Sequence, residues 1–152
     1  MADMAAAQEL ADSLFKVAQE SGLPVKAVLT DMNSVLGHSA GNAVEVREAI
    51  DYLNGTRRDE RLHHVTLLLV GEMLVLGKLV SSLDEGKKRA QESLDSGRAM
   101  EIFERMVARQ GGTIELPQAS RMVDIYADRS GTLASMDTRG IGNLLVEIGA
   151  GR

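Results

Sequence analysis

Glu45 and Glu48 stand three residues apart at the start of a helical pattern, so both carboxylates can face the loop before it. In that loop Leu36 and Ser39 offer main-chain carbonyls, and carboxylate and carbonyl oxygens together are what a hard cation takes as ligands. On the residues alone a plainer assignment competes, in which Glu45 caps the helix and Glu48 pairs with Arg47 or Arg57 at the surface. His38 lies in the same loop and can act as a ligand or a proton carrier. No His, Cys or Asp stands at ligand spacing from it, which makes an exposed loop histidine the simpler reading. His63 and His64 are adjacent, point to different sides of a helix and chelate poorly. Asp31 reads either as a ligand or loop anchor near a cleft or, more simply, as an Asx turn at the exit of a strand.

Other chemistry-bearing patterns are weaker. GIGNLL at Gly140 to Leu145 begins like a dinucleotide fingerprint but lacks the third glycine and follows Asp137 rather than a strand. The sequence contains no phosphate-binding GxxxxGK[ST] run. Neither Ser34 nor Ser39 sits in a nucleophile elbow. With no Cys, thiolate catalysis, cysteine zinc sites and disulfides are excluded. These residues form no self-sufficient catalytic set.

The elements that must position the loop can be read from periodicity. Val25 to Thr30 is an apolar run bounded by Gly22 and Pro24 before it and by Asp31 and Asn33 after it, the pattern of a buried strand. Gly41 and Asn42 end the loop. Asn42 is suited to cap the next helix with Glu45 completing a capping box, and Val46, Ile50 and Leu53 share a face up to a stop at Asn54 and Gly55. Upstream, Met4 to Glu20 carries Leu10, Leu14 and Val17 at helical spacing and ends at Ser21 and Gly22. Val65 to Val80 is apolar nearly all round, interrupted by Gly71, Glu72, Gly77 and Lys78. It is too short to span a bilayer and reads as a buried core helix. Asp84 is expected to cap a polar helix reaching Ser96 and Gly97, and Arg98 to Gln110 to form a helix burying Ile102, Met106 and Phe103. Met122 to Tyr126 and Thr132 to Met136 flank a DRSG turn and read as a hairpin or adjacent strands, after which Asp137 caps a last helix with Ile141, Leu144, Leu145 and Ile148. The strand at Val25 to Thr30 needs a neighbour to satisfy its amides and carbonyls. Its partners are expected to be either the later pair or polypeptide outside these residues, and the second is preferred.

The segments TDMN, then LG, then SAGNAVEVREAI with a closing LNG closely resemble the thymidine phosphorylase and pyrimidine-nucleoside phosphorylase family. The likeness continues through VGEMLVLGKLV, GRAMEIFERMVARQGG, Tyr126 to Asp137 and GIGNLLVEIGAGR, covering essentially the whole chain. It implies an α/β fold, α+β toward the C-terminus, with the chain a helix-rich fragment of the large mixed-sheet domain. Residues 1–112 would then belong to the α/β, phosphate-side domain and 113–152 to the start of the C-terminal part, with the boundary near Gly111 to Gln118. In the family an Asp-x-Lys-x-Gly-Ser-Gly-Ala-Phe-Met stretch lies just upstream, and Met1 resembles its final methionine. The Lys-His-Ser/Thr-Gly-Gly phosphate loop and the groups that grip the base are likewise expected before Met1, which leaves the thymidine or uridine preference outside this stretch. Some members hold potassium through two loop carbonyls and a helix glutamate, and the matching positions are Leu36, Ser39 and Glu48. The resemblance also implies phosphate and a pyrimidine nucleoside as substrates, no organic cofactor, and a homodimeric, cytoplasmic parent.

Composition sets outer bounds on these readings. The 152 residues with 44% hydrophobic content suffice for one ordinary domain, while 3% aromatics and no Trp leave little for base stacking. A net charge of -5 disfavours nucleic-acid partners, since Arg57, Arg58 and Arg61 are diluted by Asp59 and Glu60 and read as a solvated turn. MADMAAAQEL has no basic segment of the secretory kind, and no membrane partner is expected. Two functions follow. One is a scaffold fragment of a pyrimidine-nucleoside phosphorylase, inactive alone; the other is a free-standing, non-catalytic module for oligomerisation or for complementing a separate N-terminal half. Anthranilate phosphoribosyltransferases share the architecture but fit TDMN and GNAVEVREAI less well.

Overall fold

A helix begins where a short polar side chain can satisfy a free amide, and Asp3 does so by accepting the N–H of Ala6 at 2.8 Å. The computed structural model describes residues 3–151, among which six helices form: α1 (Met4–Glu20), α2 (Asn42–Asn54), α3 (Glu60–Leu76), α4 (Leu83–Asp95), α5 (Arg98–Arg109) and α6 (Thr138–Glu147). Met1 and Arg152, the two ends of the family likeness, lie outside the described residues.

The chain divides into two units. One holds the chain up to Asp31 together with Glu60–Ser93. Here α1 stops where expected, the Ser21 hydroxyl donating to the Val17 carbonyl at 2.9 Å before Gly22 turns the chain away. The following segment is held on α3 by Lys26, whose Nζ lies 3.6 Å from a Glu72 carboxylate oxygen, and by the Arg61 guanidinium donating to the Asp31 carbonyl. Helices α3 and α4 meet at a pair of buried glycines. A Cβ placed on Gly86 would stand 2.8 Å from both Cα and the carbonyl oxygen of Gly71. Ser82 rather than Asp84 starts α4, its hydroxyl accepting the Glu85 amide at 3.3 Å. The expected cap lies two residues too late because SxxE, at Ser82 and Glu85, is the stronger start signal.

The other unit comprises Met32–Asp59 and the chain from Leu94 onward, and in it α2 packs against α5. Tyr52 and Leu94 are its most buried side chains. Arg58 lies 5.9 Å from the centre of the Tyr52 ring, donates to the Tyr52 carbonyl at 3.3 Å and pairs with Asp95 at 2.7 Å. Arg57 is exposed in this connection, as expected of a solvated turn, whereas Arg58 departs from that expectation: its planar guanidinium covers an aromatic ring while satisfying two acceptors. Asp137 caps α6 as expected, accepting the Gly140 amide at 2.8 Å.

Two groups of expectations fail. Val25–Thr30, Met122–Tyr126 and Thr132–Met136 form no strand among the described residues. A β-prone sequence becomes a strand only where another segment presents amides and carbonyls to it, and none does so among the described residues. Ile102 and Met106 are exposed rather than buried on α5, as are Leu144 and Ile148 at the last helix, and α3 leaves Leu69 and Met73 open. Periodicity identifies the apolar face of a helix but carries no information on what covers it.

Candidate functional site

The loop before α2 is shaped from its far end. Gly41 occupies the cap position with φ 127°, a conformation that side-chain-bearing residues rarely adopt, and Asn42 is already the first helical residue. The expected Asn42 cap with its Glu45 partner is therefore not made. Instead the Asn42 amide donates to the Ala150 carbonyl at 2.7 Å, and the Glu45 amide to the Gly41 carbonyl at 2.9 Å. Glu45 lies in the first turn, where a negative charge complements the positive end of the helix dipole.

Glu48 turns back onto the loop. Its Oε1 accepts the amide of His38 at 2.7 Å and its Oε2 the amide of Ser39 at 3.0 Å. The carboxylate fills the space a side chain at residue 37 would need: a Cβ on Gly37 would lie 2.4 Å from Oε1 and 2.7 Å from Oε2. The surface pairing of Glu48 with Arg47 or Arg57 is replaced by this arrangement, and the Arg47 guanidinium reaches the Pro117 carbonyl at 3.2 Å. The His38 ring extends to the connection between α2 and α3, with Nε2 3.0 Å from Asp59 Oδ2. His38 is exposed, as expected of a loop histidine, and is tied at both main chain and side chain. Farther along, the Thr138 hydroxyl donates to the Met32 carbonyl at 3.0 Å.

Of the three residues expected to hold a cation, Glu48 and Ser39 are brought within one hydrogen bond of each other, and Leu36 precedes the glycine against which the carboxylate lies. The donors are all oxygen, and each carboxylate oxygen accepts one N–H here, leaving further lone-pair capacity. Oxygen donors of this kind are those a hard cation takes. Among the described residues no group of three or more His, Cys, Asp or Glu could hold a metal, and no helix is long and apolar enough to cross a membrane. His63 is half-buried and His64 exposed on α3, in keeping with the different sides of the helix they were expected to face.

Sequence reasoning missed two participants. Gly37 gave a signal, a glycine one residue before a histidine in a loop, whose meaning depended on where Glu48 would turn. Asp59 gave none, because twenty-one positions separate it from His38 and only the path of α2 brings them together. Residues 3–100, more than half of the 152, match the family model described as glycosyl transferase family, a/b domain. The matched range contains α1 to α4 and the whole of the loop built on Glu48.

Proposed function

The chain belongs to the glycosyl transferase family through its a/b domain, and on that footing we propose that it forms part of the α/β domain of a thymidine phosphorylase, supplying scaffold and not the reacting groups. The parent reaction is reversible phosphorolysis. A phosphate oxygen bonds to the anomeric carbon as the bond to the pyrimidine nitrogen breaks, and the departing base takes up a proton. Thymidine then gives thymine and 2-deoxyribose 1-phosphate. Such a site gains rate by holding both reactants in line and by placing preorganised donors at the phosphate and the leaving base.

The observation that carries this reading is the loop itself. TDMN and SAGNAVEVREAI, the segments of closest family likeness, are the residues that fold into the Glu48-anchored loop and α2, inside the family match. This chain's contribution is to fix one wall of a site. Glu48 orients the Leu36 to Ser39 loop, and Leu36, Ser39 and Glu48 would hold a potassium ion when the two remaining ligands come from the other part of the domain. The ion's charge would stabilise the loop near the phosphate side. The parent works in the cytoplasm as a homodimer with nucleoside and phosphate as its partners, as family likeness implies. The purified 152-residue chain, given thymidine and phosphate, is expected to release thymine no faster than buffer. Release clearly above buffer would mean that these residues hold the reacting groups themselves.

The second reading, a free-standing module that complements a separate half, is favoured by the open apolar side chains between Met122 and Leu133, of which Met122 is 90% and Ile125 93% exposed. Patches of this kind mark surfaces that associate.

A further inference from the structure

We infer that Asp59 is a positioning residue for the Gly37–Ser39 loop, acting through the His38 ring as a second anchor opposite Glu48. This role follows from peptide geometry and stands whether or not the parent is a phosphorylase. In a trans peptide the N–H and the preceding C=O point in opposite directions. Because Glu48 takes the amides of both His38 and Ser39, the carbonyls of Gly37 and His38 are turned away from its carboxylate. Two consecutive peptide planes are thereby fixed, and the carbonyls free to converge on the Glu48 side are those just outside them, at Leu36 and Ser39.

Two amide bonds to one carboxylate leave a residual freedom, since the pair of planes can rock about the carboxylate as about a hinge. The His38 side chain removes it. Its Nε2 lies 3.0 Å from Asp59 Oδ2, so the same residue is held at its main chain by α2 and at its ring by the connection leading to α3. Asp59 is suited to this. Its side chain is 19% exposed against 49% for His38, so the acceptor is the better-held member of the pair. Gly37 completes the arrangement, because any side chain there would push the carboxylate out of its place. The loop is therefore ordered by folding, and a ligand that meets it does not have to organise it.

Amide hydrogen exchange on the full chain tests this residue by residue. In the parent sequence the His38 and Ser39 amides should be protected. Asp59→Ala should speed their exchange by roughly three- to five-fold, the effect of losing one partly exposed ion pair, while Ile50 and Leu53 inside α2 keep their rates. Asp59→Asn retains an acceptor oxygen and should restore protection, which a general loss of packing at this position would not allow. Gly37→Ala, acting on the carboxylate side, should expose both amides whatever residue stands at 59. Unprotected His38 and Ser39 amides in the parent, unchanged rates in Asp59→Ala, or a uniform rise across α2 would each overturn the assignment.

Discussion

Glu85 and Glu48 each hold a nearby loop with a carboxylate that takes two donors, two amides at Glu48 and one amide with one hydroxyl at Glu85. The Glu85 oxygen accepts the Ser81 amide at 2.9 Å and the Ser81 hydroxyl at 2.8 Å. The Ser81 amide first, then its hydroxyl, hold the Glu85 carboxyl below its ordinary value of 4.5, with Arg89 adding a smaller pull. A carboxyl lowered on folding stabilises the native state above its unfolded value, and that stability is lost as pH falls through the folded one. Glu85→Gln should therefore lower the urea midpoint at pH 7, and the gap from the parent chain should close as pH drops below about 4.5. A gap that stays constant to pH 3 would mean that Glu85 acts without its charge. Neither carboxylate's partners could be assigned from sequence. Glu48 was equally compatible with arginine pairing because Arg47 and Arg57 lie close in the chain, and the choice depended on where Gly37 allowed the carboxylate to go.

Helices were legible because their determinants are local. Met4–Glu20 starts at Asp3 and ends before Gly22, and Asp137 caps α6, as short-range hydrogen bonding dictates. Strands were not, since the stretch from Val25 to Thr30 carries β-prone residues but no information on a partner. The α3–α4 contact was also hidden in plain sight: Gly71 reads as a blemish in an apolar run, yet it is the point where the backbone of α4 comes against α3 at Gly86. Alanine at Gly86 has only backbone to push against, so Gly86→Ala should destabilise the chain by about 1–3 kcal/mol. Gly142 supplies the internal comparison. It lies inside α6 with nothing within 4 Å of a Cβ, and Gly142→Ala should stabilise by about 0.5–1 kcal/mol. Urea unfolding of the two variants checks both signs, and equal effects would contradict the close approach of the two helices.

For the chain as a whole, the broad glycosyl transferase family was readable because a contiguous motif carries it, and the match over residues 3–100 includes that motif. What covers the apolar faces was not readable. Leu14, Val17, Met122 and Ile125 are open to solvent, and a sequence records which residues avoid water without naming the surface that shelters them. On the function proposed above, these residues are the backing of a phosphorylase site whose reacting groups are supplied from elsewhere. The measurement that bears on it most directly is thymidine phosphorolysis by this chain co-expressed with a polypeptide carrying the family's upstream phosphate loop and base-gripping residues. Association of the two, with thymine release that neither shows alone, is the expected result. Failure to associate, or equal release by the upstream polypeptide with and without this chain, would contradict it.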